Sequence, residues 1–167
     1  IMILEENLNV SKEIVYAIGL LHDIGKRVNY YSHARHGCYM LVNSNLYGIS
    51  HVEQAFSAFL VMNSHGLTPK EYKNFLYGKL LDKKHRVLGQ KLSIILAIAE
   101  ALDESHEQFI ERLEVNIKYT SVVIKIFYLE GRDVSVTKTA VEKLSKSFKK
   151  EFNKSLEIEW HESRKEA

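Results

Sequence analysis

Residues 88–119 read LGQKLSIILAIAEALDESHEQFIERLEVNIKY, and within this stretch the spacing of apolar residues changes. Leu88, Leu92, Ile95, Leu96, Ala99 and Leu102 recur at steps of three and four, along one side of a helix. From Leu113 the step falls to two. Leu113, Val115, Ile117 and Tyr119 alternate with polar residues, as on a strand with one covered face. The switch predicts an α+β chain, with an all-helical domain over 1–111 and a small subdomain over 112–167. The 88–102 helix, with the longest clean stripe, is expected at the centre of the helical part.

Toward the C-terminus, Val122, Ile124, Ile126 and Tyr128 repeat the two-residue step, with Val123 and Phe127 adding apolar character to the other face. After the turn at Glu130–Gly131–Arg132, the stretch Asp133 to Thr137 reads as a third strand. Val141, Leu144, Phe148 and Phe152 then return to helical spacing, and Leu156, Ile158 and Trp160 alternate once more. The expected order of the tail is β-β-β-α-β. Toward the N-terminus, Ile14, Ile18 and Leu21 mark one helix, a second covers Ala34 to Val42, and a third starts at Ser50. Glu53 stands three residues after Ser50, at capping-box spacing.

The chain has 167 residues and a formal net charge of +2, so a nucleic-acid binder acting through bulk charge is disfavoured. A single cysteine, Cys38, excludes an internal disulfide and any multi-cysteine zinc site. No apolar run approaches the roughly 20 residues that cross a bilayer. The expectation is a soluble cytoplasmic protein. Because Ile1 precedes Met2, a fragment of a longer protein and a free-standing chain both stay open.

The chemistry concentrates in Leu20-Leu21-His22-Asp23-Ile24-Gly25-Lys26. An imidazole and a carboxylate ending an apolar helix both need water or a partner, and a divalent cation accepts both as ligands. His36, His65 and Asp103 stand where helices would aim them inward. His33, three residues before His36, is an alternative donor, with a surface position favoured for it. The candidate metal set is therefore His22, Asp23, His36, His65 and Asp103, a nitrogen and oxygen mixture suited to Mn, Mg, Fe or Zn.

These segments resemble the HD superfamily of metal-dependent phosphohydrolases, and more narrowly the C-terminal region of the Ppx/GppA exopolyphosphatases and guanosine pentaphosphate phosphatases. The matching stretches are Leu21–Gly25, Tyr30–Ser44, Gly48–Glu53, Asn63–His65 and Ala99–Asp103, with Leu156-Glu157-Ile158 in the tail. Residues 1–21 hold no histidine, so the superfamily's upstream metal histidine has no counterpart there. The actin-like domains that carry the family's phosphatase site are also absent from this chain.

The resemblance implies hydrolysis of a phosphoester or phosphoanhydride, with polyphosphate or a phosphorylated nucleotide as substrate. Asp23 and Lys26 would be the catalytic pair, and Lys26, Arg27 and Arg35 would meet phosphate oxygens. A second reading is a non-catalytic module that binds polyphosphate along Lys26, Arg27, Arg35, Lys83, Lys84 and Arg86, or that dimerises. A homodimer fits either reading, and a membrane partner fits neither.

Overall fold

The computed structural model describes residues 12–64, 75 and 77–163. They fall into two compact units, 1–96 and 97–167. The expected metal ligand His65 lies outside the described residues.

In the first unit, helix α1 (Lys12–Leu21) leads into a 3-10 turn over Ile24–Arg27. Helix α2 (His33–Asn43) and helix α3 (His51–Asn63) follow. A second 3-10 turn (Gly78–Leu80) precedes helix α4 (Lys83–Leu102), whose residues from Ala97 onward belong to the second unit. The capping box at α3 forms as its spacing predicts. Ser50 Oγ accepts from the Glu53 N–H at 3.2 Å, and Glu53 Oε2 accepts from the Ser50 N–H at 2.7 Å.

The innermost helix of this unit is α3 rather than α4. Every residue from Ala55 to Val61 is buried, whereas Leu88, Ile95 and Leu96 of α4 are only half-buried. A helix covered on all sides shows no clean stripe, so periodicity points instead to the amphipathic α4. Gly89 lets α4 approach α3 closely, since a Cβ there would stand 2.4 Å from the Phe59 ring. Gln54 of α3 donates to the carbonyls of Leu41 and Ser44, at 2.7 and 2.8 Å, and so closes the end of α2.

The second unit holds strands β1 (Ile110–Ile117) and β2 (Ser121–Leu129), helix α5 (Ser135–Phe152) and strand β3 (Ser155–Ser163). The sheet order is β1-β2-β3, with β1 antiparallel and β3 parallel to β2. The chain is α+β as the change of period predicts, but the tail is β-β-α-β. The expected strand over Asp133–Thr137 is instead the start of α5.

A strand would turn Val134 and Val136 to the same side, yet Val134 is buried and Val136 is 61% exposed. Burial runs Val134, Thr137, Val141 and Phe148, which is helical spacing. Asp133 Oδ1 accepts from the Ser135 N–H at 2.9 Å and sets the helix entry. Asn153, in the left-handed region at φ 54°, ends α5 with its N–H on the Lys149 carbonyl. Phe109, Tyr128 and Val134 form a core joined by Ile110, Leu129 and Trp160.

Candidate metal and phosphate site

The site is built where α1 gives way to the 3-10 turn and α2 folds back on it. Gly25 sets that approach: a Cβ would stand 1.9 Å from the His33 carbonyl oxygen and 2.5 Å from the Gly37 nitrogen. Only a residue without a side chain lets the backbone of α2 come so near. Ser32, at the α2 N-cap, lies in the left-handed region at φ 59°, a costly backbone setting for a side-chain-bearing residue. The Tyr31 N–H donates to Asn29 Oδ1 at 2.9 Å and tightens the preceding turn.

This packing brings two imidazoles onto one carboxylate. His22 Nδ1 is 2.7 Å from the Gly19 carbonyl oxygen, and its Nε2 is 3.7 Å from Asp23 Oδ2. His33 Nδ1 is 2.9 Å from the Tyr30 carbonyl oxygen, and its Nε2 is 3.5 Å from Asp23 Oδ1. A carbonyl accepts only, so each Nδ1 carries the proton and each Nε2 of a neutral ring presents a lone pair. Those lone pairs face carboxylate oxygens, and either a proton on Nε2 or a cation between the groups would satisfy both. Asp23 Oδ1 is buried and accepts no hydrogen bond among the described residues.

Lys26 holds the opposite side, with Nζ donating to Asp23 Oδ2 at 2.5 Å. The ammonium also stands 5.8 Å from the centre of the Tyr30 ring. Partial burial pushes the Asp23 carboxyl up, but the hydrogen bond and charge of Lys26, with His22 and His33 beside it, outweigh burial. The group lies below its usual 3.8.

Of the expected residues, His22, Asp23 and Lys26 therefore converge. Arg27 and Arg35 are exposed on the same turn and on α2. His36 is half-buried on α2, and among the described residues the imidazoles within 4 Å of Asp23 are those of His22 and His33. Asp103 is exposed in the second unit, its carboxylate 3.9 Å from His106 Nδ1. His33, for which a surface place was favoured, has a side chain only 13% exposed. The sequence signal for it was its place at a helix start, after a turn carrying Gly25 and Asn29. Helix α4 also carries Glu100, a half-buried carboxylate three residues before Asp103.

A family model described as Ppx/GppA phosphatase, domain III, matches residues 3–133. The chain belongs to that family. The match spans the His22–Asp23 turn, all of α2 and α3, and the β1–β2 hairpin, and it stops before α5. No curated protein matches the chain. Among the described residues of this domain III member, no helix is long and apolar enough to cross a membrane.

Proposed function

We propose that this domain III chain is a cation-dependent phosphohydrolase module acting on polyphosphate or a phosphorylated nucleotide. The observation that carries the reading is the paired orientation of His22 and His33. Each is pinned through Nδ1 to a backbone carbonyl, and each turns Nε2 to an oxygen of Asp23. His22, Asp23 and His33 would hold the ion, which when bound supplies Lewis-acid polarisation of a phosphoryl group and acidification of water.

The chain's own residues then have separate tasks. Asp23 stays ionised because Lys26 lies against it. Lys26, Arg27 and Arg35 bind and orient phosphate oxygens, Lys26 as a point charge and the arginines through planar donor pairs. His36 and His65 are donors for a second ion in this reading.

Titration of the purified chain with Mn²⁺, followed by calorimetry, tests the proposal. Binding is expected for the parent chain. His33→Ala and His22→Ala are each expected to weaken it by about 10–100-fold. Equal affinity in all three chains removes the site.

One observation favours a second reading, a polyanion-binding module without turnover. The Lys26 ammonium already neutralises Asp23 Oδ2, so the cluster is charge-compensated without a metal. Polyphosphate binding that resists chelators and falls with added salt, with no phosphate released, selects that reading.

A further inference from the structure

The two imidazoles that face Asp23 are anchored on unlike carbonyls. His22 Nδ1 stands 2.7 Å from the carbonyl oxygen of Gly19, a residue of α1, and the helical backbone fixes where that oxygen points. His33 Nδ1 stands 2.9 Å from the carbonyl oxygen of Tyr30, which lies between the 3-10 turn and α2, outside any helix. Burial holds it little, since Tyr30 and Tyr31 are 70% and 80% exposed. A hold exists at the other end of the same peptide group. The Tyr31 N–H donates to Asn29 Oδ1 at 2.9 Å, closing an Asx-turn. The Tyr30–Tyr31 peptide is trans. A trans peptide is planar, with its N–H and C=O pointing in opposite directions, so fixing one end aims the other. Asn29 is itself seated by its backbone N–H, which donates to the Gly25 carbonyl at 3.2 Å, within the 3-10 turn that Asp23 caps.

We propose that Asn29 is a positioning residue of the site, acting through the Tyr30–Tyr31 peptide group to hold His33 as the Nδ1–H tautomer with Nε2 turned to Asp23. The inference rests on the reading of His22, Asp23 and His33 as ion ligands, and it adds a residue that acts on the ion only through the backbone. The Nε2 of a neutral imidazole can coordinate only when the proton is on Nδ1, and the partner of one nitrogen decides the state of the other. A histidine ring free in water prefers its proton on Nε2. The Asp23 carboxylate, 3.5 Å from that nitrogen, favours a proton there too. The Tyr30 carbonyl opposes both preferences, and does so only while it is aimed at Nδ1. Asn29 keeps it aimed. Donation of the Tyr31 N–H to Asn29 also polarises the peptide group and makes the Tyr30 oxygen a better acceptor. His22 needs no such device, because the last turn of α1 already holds its carbonyl.

Two-bond ¹H–¹⁵N correlation spectra of the histidine rings, recorded at pH 8 on the intact ion-free chain, read the tautomer. The parent is expected to show His33 with its proton on Nδ1. Asn29→Ala removes the acceptor, and Asn29→Gln moves it one methylene away. In both, the His33 signals are expected to shift toward the Nε2–H pattern while those of His22 stay in place. Asn29→Asp keeps an acceptor at the same reach and is expected to restore the parental pattern. Asn29 is exposed, so truncating it opens no cavity in the core. In calorimetry the Mn²⁺ affinity of Asn29→Ala is expected to fall about tenfold, at the low end for a residue standing behind a metal ligand. An unchanged His33 in Asn29→Ala overturns the proposal. So does a joint shift of His22 and His33 in every variant, which marks a general loosening of the turn. A parent chain that binds no Mn²⁺, with the tautomers responding as stated, removes the ion reading and upholds the role of Asn29.

Discussion

Asp23 is a carboxylate whose charge is set by its neighbours, and its titration should be visible in stability. Its folded value lies below the usual 3.8, so the ionised form is favoured by folding. That contribution is fully present above the unfolded value and is lost as pH falls through the folded one. Asp23→Asn is expected to lower the urea midpoint at pH 7, with the gap to the parent chain closing as the pH is taken below 4. A gap that persists unchanged into acid would assign the loss to packing instead. Cys38 gives a second expectation at this scale. Burial pushes its thiol up to about 11, so at pH 8 roughly one molecule in a thousand carries the thiolate. Iodoacetamide is expected to label the native chain very slowly and the urea-unfolded chain quickly, as followed by mass spectrometry.

The turn between α1 and α2 depends on Gly25, because no methyl group fits between it and the His33 carbonyl. Gly25→Ala is expected to cost about 1–3 kcal/mol in chemical denaturation. It should also weaken Mn²⁺ binding, because α2 carries His33 away from Asp23 as it shifts. At α3, Ser50→Ala removes one half of the capping box and is expected to cost about 1 kcal/mol with the site unchanged. These elements differ in how far the sequence announces them. Ser50 and Glu53 are legible because a capping box is local, and His22–Asp23 is legible because the two residues are adjacent. His33 is ten residues from Asp23, and its direction depends on the left-handed Ser32 and the bare backbone at Gly25, which only the folded chain shows. The start of α5 misleads for a related reason. Val134, Val136 and Thr137 are β-branched and read as strand, and only the burial of Val134, Thr137 and Val141 along one side reveals the helix.

Across the whole molecule the formal charge is only +2, so any attraction for a polyanion has to come from a local arrangement of cations. Replacing Lys26, Arg27 and Arg35 together with alanine is expected to abolish polyphosphate binding and its salt dependence. Neutralising Lys143, Lys146, Lys149 and Lys150 on α5 removes as much positive charge or more and is expected to leave binding within about twofold, as the exposed side of an amphipathic helix should. Titrations at low and moderate salt separate the two outcomes. Equal losses in both variants would mean that only net charge matters.

Strand β2 is hydrogen-bonded on both sides and buried on both faces along most of its length. Its backbone protons can meet solvent only when the small unit opens as a whole, so deuterium uptake along Ser121–Leu129 times the global opening of that unit. The strand therefore carries a built-in clock, against which the faster uptake of its neighbours can be read.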